Sequence, residues 1–115
     1  MYKDVKIGDK TVPMLAMASA NIYYRHTFGK DAIVVQADAT TVGQRLAFYS
    51  EMGYIMAMMA EAKGDRGKMM ALNEDSYVEW LDQFEAFDYT AALADIASVY
   101  EKQKLTTSKE KKAHA

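Results

Sequence analysis

The stretch from Thr41 to Ala62 most constrains what this chain can become. Thr41 followed three residues later by Gln44 is a capping-box pattern, in which the hydroxyl accepts from a free N–H of the first turn and the glutamine reaches back to the cap. From there Leu46, Tyr49, Met52 or Gly53, Met56 and Met59 or Ala60 recur at helical spacing, which predicts a helix from Val42 to about Ala62. Ile55 and Met59 share one face of it, Met52 and Met56 lie beside them, and Phe48 and Met58 point elsewhere. A helix apolar on one stripe needs one partner, and a helix apolar on several faces needs more than one. Gly43 and Gly53 each weaken it by roughly 1 kcal/mol relative to alanine, a cost that makes sense where another helix must come close.

The flanking segments read as short elements. In "DVKIGDKTVPML", Val5 and Ile7 alternate with Asp4 and Lys6, Gly8-Asp9-Lys10 makes a turn, and Val12 to Leu15 resumes the apolar pattern. This is a β-hairpin signature. Pro13 cannot donate to a ladder, so the second strand is an edge or very short. In "NIYYRHTFGKD" a helix begins with Ser19 or Asn21 as its cap and carries Arg25 and His26 near its carboxyl end. It stops at Gly29, where a left-handed residue is cheap only for glycine, and Asp31 can cap the next element. The β-branched "AIVVQAD" suits a strand or a turn of helix and is read as helix. "KGDRGK" at 63–68 reads as a loop. A third helix starts near Asn73 with Tyr77, Trp80, Leu81 and Phe84 on one face. A fourth opens at Asp88 with Leu93, Ile96, Ala97 and Tyr100, and the short link between them predicts an antiparallel pair. The expected architecture is mainly α: an N-terminal hairpin and a bundle of about four helices in one domain over 1–104, then a flexible basic tail at 105–115.

Half of the residues are apolar and nine are methionine, too apolar for a disordered chain. The absence of cysteine excludes disulfides, thiol nucleophiles and cysteine metal sites. The most apolar helical run, "YIMAMMA", is far shorter than a membrane span, and the amino terminus lacks a signal-peptide pattern, so a soluble intracellular chain is expected. Residues 1–101 carry 9 basic and 15 acidic side chains, a balance of −6, whereas residues 102–115 carry five lysines and one glutamate. An acidic body with a short basic tail is not the electrostatic footprint of a duplex-DNA binder.

Nothing in the pattern is arranged to react. His26 and His114 have no metal-ligand spacing around them. Glu74, Asp75, Glu79, Asp82, Glu85 and Asp88 form an acidic run that reads as a solvated helical face or a docking surface. Ser19, Ser50, Ser76 and Ser98 lack a nucleophile-elbow context, and "KGDRGK" lacks the spacing of a phosphate loop. The aromatics lack the basic field that nucleic-acid stacking needs. No catalytic, cofactor or metal residue is expected. The methionines are the informative excess, because thioether side chains suit surfaces that adapt to varied apolar partners. The run reads first as a core helix that happens to use methionine, and its excess of apolar faces makes Met52, Tyr54, Ile55, Met56, Met58 and Met59 the candidate client or self-association surface.

Three segments together resemble one family: the hairpin leading to a helix that ends Tyr24-Arg25-x-x-Phe28-Gly29-x-Asp31, the long central helix, and "YVEWLDQFEAFD" with Trp80, Leu81, Phe84 and Asp88 before a last helix. The chain resembles, over residues 5–104, the tail assembly chaperones of long-tailed phages and of prophages of Gram-positive bacteria. It departs from the family pattern in "DAIVVQADATTVGQ", where a longer, more leucine-rich helix is usual. The resemblance implies a non-enzymatic helical protein of the host cytoplasm, absent from the mature virion. It implies that the protein holds the tape measure protein soluble during tail morphogenesis and forms homo-oligomers. It implies contact with the tail tube protein through a frameshifted longer form. The family assigns its signature positions no catalytic role. The rival readings are a small structural tail or connector protein and a generic helical protein-interaction domain.

Overall fold

The computed structural model describes residues 1–114, with side chains through Glu101. A two-stranded hairpin, β1 (Tyr2–Ile7) and β2 (Lys10–Leu15), precedes six helices. These are α1 (Ala20–Phe28), α2 (Ala32–Asp38), α3 (Val42–Ala62), α4 (Arg66–Met70), α5 (Glu74–Leu81) and α6 (Ala86–His114). The flexible tail expected at 105–115 falls outside the residues described in full.

The strands are antiparallel, with Ile7 opposite Lys10 across the Gly8-Asp9 turn and Asp4 opposite Pro13. Val5, Ile7 and Met14 are buried while Asp4, Lys6 and Thr11 are exposed, so the period-two pattern puts one face of the hairpin on the helices. Lys10 ties the turn to the rest of the fold. Its Nζ donates to the Gln83 carbonyl at 2.8 Å and lies 5.4 Å from the centre of the Phe84 ring.

Helix ends follow local chemistry at most sites. Gly29 closes α1 at φ 70°, its N–H donating to the Arg25 carbonyl at 2.8 Å. The Asp31 carboxylate accepts from the N–H groups of Ile33 and Val34 and so commits the β-branched run after it to helix rather than strand. Thr41 and Gln44 form the expected reciprocal box at the start of α3. Asn73 and Ser76 form another at the start of α5. The amino end of α1 is different. Ser19 has helical backbone angles and makes no side-chain cap, because a capping side chain needs an extended backbone to reach the first turn. Asn21 does not cap either; its side-chain Oδ1 accepts from the Tyr100 hydroxyl at 2.8 Å.

Two segments differ from expectation in their extent. The loop expected at 63–68 is shorter: Lys63 and Gly64, at φ 50° and 85°, turn the chain, and Asp65 then caps α4 by accepting from the Lys68 N–H. The last helix begins at Ala86 rather than Asp88 and takes α3, not α5, as its long neighbour. Tyr89 and Ile96 meet α3 at Gly53, and Tyr100 meets it at Phe48, so α3 and α6 run antiparallel. The eight-residue α5 is too short to pair along α6 and touches it at the turn, through Trp80 and Phe84 against Tyr89.

α3 is the axis of the fold, packed against β2 and against all five other helices. Its first part is not enclosed: residues 42–47 are exposed on every side, Leu46 among them, and burial begins at Phe48. With little surface buried, these first turns depend on their cap. Thr41→Ala is expected to cost about 1 kcal/mol and to speed amide hydrogen exchange across 43–47 while leaving 52–59 protected. Unchanged exchange at 43–47 would mean that the capping box does not hold this end.

Candidate protein-interaction surface

The methionine-rich surface expected on α3 is not a surface. Met52 and Met56 are 0% exposed, Ile55 is 0% and Tyr54 is 1%, and Met59 is buried as well. The extra apolar faces expected to need a partner chain are covered by this chain's own hairpin and helices. Of the six residues expected to meet a client, only Met58 reaches the exterior, and it is half-buried.

The family-signature positions serve the core and the helix ends. Tyr24 and Phe28 meet with tilted rings at 5.1 Å between centres, and Tyr24 also meets Phe48 at 5.5 Å. Trp80 lies against Tyr54, Phe84 and Tyr89. Leu81 is half-buried against the core, Arg25 is exposed, and the Asp88 side chain faces the hairpin turn at Gly8. His26 donates from Nε2 to the Met70 carbonyl at 2.6 Å, a link between α1 and α4.

Tyrosine hydroxyls stitch the helices together at the margin of the core. Tyr24 donates to Glu51 at 2.7 Å, and the Lys30 ammonium pairs with the same carboxylate at 3.2 Å. Tyr89 donates to the Ser50 carbonyl at 2.7 Å, and the Ser50 hydroxyl bonds the Tyr77 hydroxyl at 2.6 Å. Tyr54 donates to the Ser76 hydroxyl at 2.7 Å. Glu101 accepts from both Tyr49 and Gln36, which joins α6 to α3 and α2. Each of these phenols has a hydrogen-bond partner, as buried hydroxyls must.

Burial, then the Glu101 carboxylate it bonds, pushes the Tyr49 hydroxyl up to about 12, and burial pushes Tyr24 and Tyr89 further in the same direction. A phenol whose pKa is higher in the folded chain holds its proton more tightly there than in the unfolded chain. Stability is therefore expected to be flat in this respect up to about pH 10 and to fall as pH rises from there through about 12. Tyrosinate absorbance followed alongside circular dichroism checks this. These three phenols should ionise only as the fold is lost, and early ionisation of all eight tyrosines would contradict it.

A concave surface lies where β2 passes the end of α3. Tyr2, Val12, Pro13, Ala57, Met58, Ala60 and Trp80 line a groove of about 720 Å³, with Glu61 and Lys63 at its edge. A second hollow of about 230 Å³, lined by Met58, Glu61, Ala62, Lys68, Met69 and Leu72, adjoins it. Met58 and Glu61 belong to both, so they form the ridge between two apolar sockets. The signal for this groove was present in Pro13, Met58 and Trp80, but nothing in their spacing links three residues so far apart in the chain.

Among the described residues no group of three or more histidine, cysteine or acidic side chains is placed to hold a metal ion. Among the same residues no helix is long and apolar enough to cross a membrane. The arrangement can bury apolar side chains of a partner beside acidic groups. Compared with known proteins, the chain matches no family, no curated protein and no solved structure.

Proposed function

We propose that the chain is a tail assembly chaperone of a long-tailed phage or prophage, holding the tape measure protein soluble while the tail is built. The observation that supports this most directly is the pair of apolar sockets flanking Met58 and Glu61, an open surface fit to cover another chain's apolar residues. The resemblance carried by Tyr24-Arg25-x-x-Phe28-Gly29-x-Asp31 and by Trp80, Leu81, Phe84 and Asp88 supplies the biological setting. In this reading the chain is not an enzyme and needs no cofactor. It works in the host cytoplasm as a homo-oligomer and is left out of the virion. A frameshifted longer form would reach the tail tube protein.

Covering a client's apolar stripe removes that surface from water, at roughly 25 cal/mol per Å² before the costs of association. Such a gain is modest and reversible, as a chaperone displaced by tube subunits requires. The test is co-expression with the tape measure protein of the same phage or prophage. The client should move from the insoluble to the soluble fraction and co-purify with this chain. A client equally soluble alone, or this chain recovered from purified virions by mass spectrometry, would overturn the reading, the latter in favour of a structural tail component.

A further inference from the structure

We propose that the outer edge of β1 pairs with the same edge of a second copy of this chain, antiparallel about a twofold axis, so that Asp4 of each copy stands opposite Lys6 of the other. The proposal deepens the self-association named in the chaperone reading, and it rests on that reading only for what the pair is used for.

The hairpin itself fixes where its backbone groups point. Met1 and Ala16 exchange both of their bonds: the Met1 ammonium donates to the Ala16 carbonyl at 2.6 Å, and the Ala16 N–H donates to the Met1 carbonyl at 2.8 Å. Bonded and non-bonded pairs alternate along an antiparallel ladder. In the observed register the bonded pairs are therefore Lys3 with Met14, Val5 with Val12 and Ile7 with Lys10. The non-bonded pairs are Tyr2 with Leu15, Asp4 with Pro13 and Lys6 with Thr11. The N–H and C=O groups of Tyr2, Asp4 and Lys6 leave the hairpin on one side, and those of Thr11, Pro13 and Leu15 leave it on the other. Among the described residues no other backbone group bonds them.

The two edges are not equal. Pro13 has no N–H, so a strand added to β2 would lose a bond at the middle of the edge. The β1 edge holds no proline, and Tyr2, Asp4 and Lys6 are all exposed. An open edge of this kind is a template for another strand. With one edge open and the other blocked, pairing stops at two copies, in a sheet ordered β2-β1-β1-β2.

Charge selects both the occupant and the register. Asp4 and Lys6 lie on the face of β1 opposite the buried Val5 and Ile7. Among the described residues neither takes part in an ion pair within the chain. Two β1 strands meet through their outward groups in registers that differ by two residues. One register sets Lys6 against the partner's Asp4 and Asp4 against the partner's Lys6, with Val5 on the axis. Of its neighbours, one sets Asp4 against Asp4 and the other sets Lys6 against Lys6. Opposite charges directly across a ladder stabilise it, and like charges destabilise it. β1 thus carries both halves of a complementary pair at the spacing a twofold axis requires. Lys3 falls at the end of the ladder, where its stem covers the partner's Ile7 and its ammonium reaches water. A strand from another protein would have to supply a base opposite Asp4 and an acid opposite Lys6, whereas a second copy brings both.

Sedimentation equilibrium of the full-length protein over a range of concentrations is the test. A reversible monomer–dimer equilibrium is expected. Asp4→Lys makes both positions basic, and Lys6→Asp makes both acidic. Each variant alone should keep the circular dichroism of the parent and raise the dimer dissociation constant at least tenfold. Mixed together, the two variants should form a heterodimer about as tight as the parent dimer. The chain carrying both substitutions should dimerise with itself again. Lys6→Pro removes an outward N–H without touching a hairpin bond, and it should abolish the dimer.

A parent that stays monomeric at every concentration would overturn the proposal, as would a dimer indifferent to Asp4→Lys and to Lys6→Asp, or one that survives Lys6→Pro. Two folded single variants that form no heterodimer would overturn it as well. Should a single variant lose its fold, the doubly substituted chain decides, and a monomer there counts against the pairing. The chaperone reading is tested apart from this. A monomeric protein that still solubilises its client would leave the chaperone standing and remove the interface. A charge-dependent dimer that solubilises no client would do the reverse.

Discussion

Gly53→Leu is expected to be among the most damaging single substitutions in this chain. A Cβ at position 53 would stand 3.0 Å from Ile96 Cγ2, 3.0 Å from the Tyr89 hydroxyl and 3.2 Å from Ile96 Cδ1. These atoms belong to α6, so position 53 is where the two long helices approach without room for a side chain. Ile96 is itself fully buried, and the Tyr89 hydroxyl is held by the Ser50 carbonyl, so neither can withdraw freely. Forcing a branched side chain between them separates α3 from α6 and exposes the aromatic cluster beside the contact. Overpacking of this kind costs about 3 kcal/mol, which corresponds to a fall in Tm on the order of 10–15 °C. Gly53→Ala is the informative control. It recovers roughly 1 kcal/mol of helix propensity and meets the same contacts with one methyl, so the two effects nearly cancel. Thermal and urea unfolding of the pair, followed by circular dichroism, measure both. A leucine variant as stable as the parent would mean that α3 and α6 do not meet at this residue.

The second large effect separates the two kinds of methionine on α3. Met56 has no exposed surface, and its removal leaves a cavity that helices on several sides cannot collapse into. Met56→Ala is expected to cost about 3 kcal/mol. Met58→Ala, two residues away on the rim of the groove, is expected to change stability by less than about 1 kcal/mol. The order should invert in a binding experiment under conditions where both variants are folded: Met58→Ala should weaken client capture, and Met56→Ala should leave it near that of the parent. If Met58→Ala were the more destabilising of the two, the assignment of core and rim on α3 would be wrong.

This contrast marks where sequence reasoning reaches its limit. The number of apolar faces on 42–62 is legible, and so is the inference that several partners must cover them. The identity of those partners is not. β2 lies more than 25 residues before the helix and α6 more than 20 after it. Periodicity describes a helix relative to its own axis and says nothing about which neighbours the chain will bring to each face. Periodicity alone therefore leaves the methionines between core and client, and only the packing of the hairpin, α1 and α6 against α3 decides for the core. The same blindness hides the groove, whose walls come from β1, β2, α3 and α5.

The sequence by itself determined the caps and the punctuation of the chain. The hairpin turn, the stop at Gly29, the starts at Asp31, Thr41 and Asn73, and the long central helix all stand where the residues placed them. Each depends on atoms within about four residues of one another, and such contacts are written in the local order of side chains. Only the tertiary structure decided that Met56 is interior and Met58 is rim, that Gly53 is the crossing point with α6, and that Ser19 leaves its helix uncapped while Asn21 serves Tyr100. Burial is a property of the whole packed chain, set by the competition of every apolar face for the same small interior.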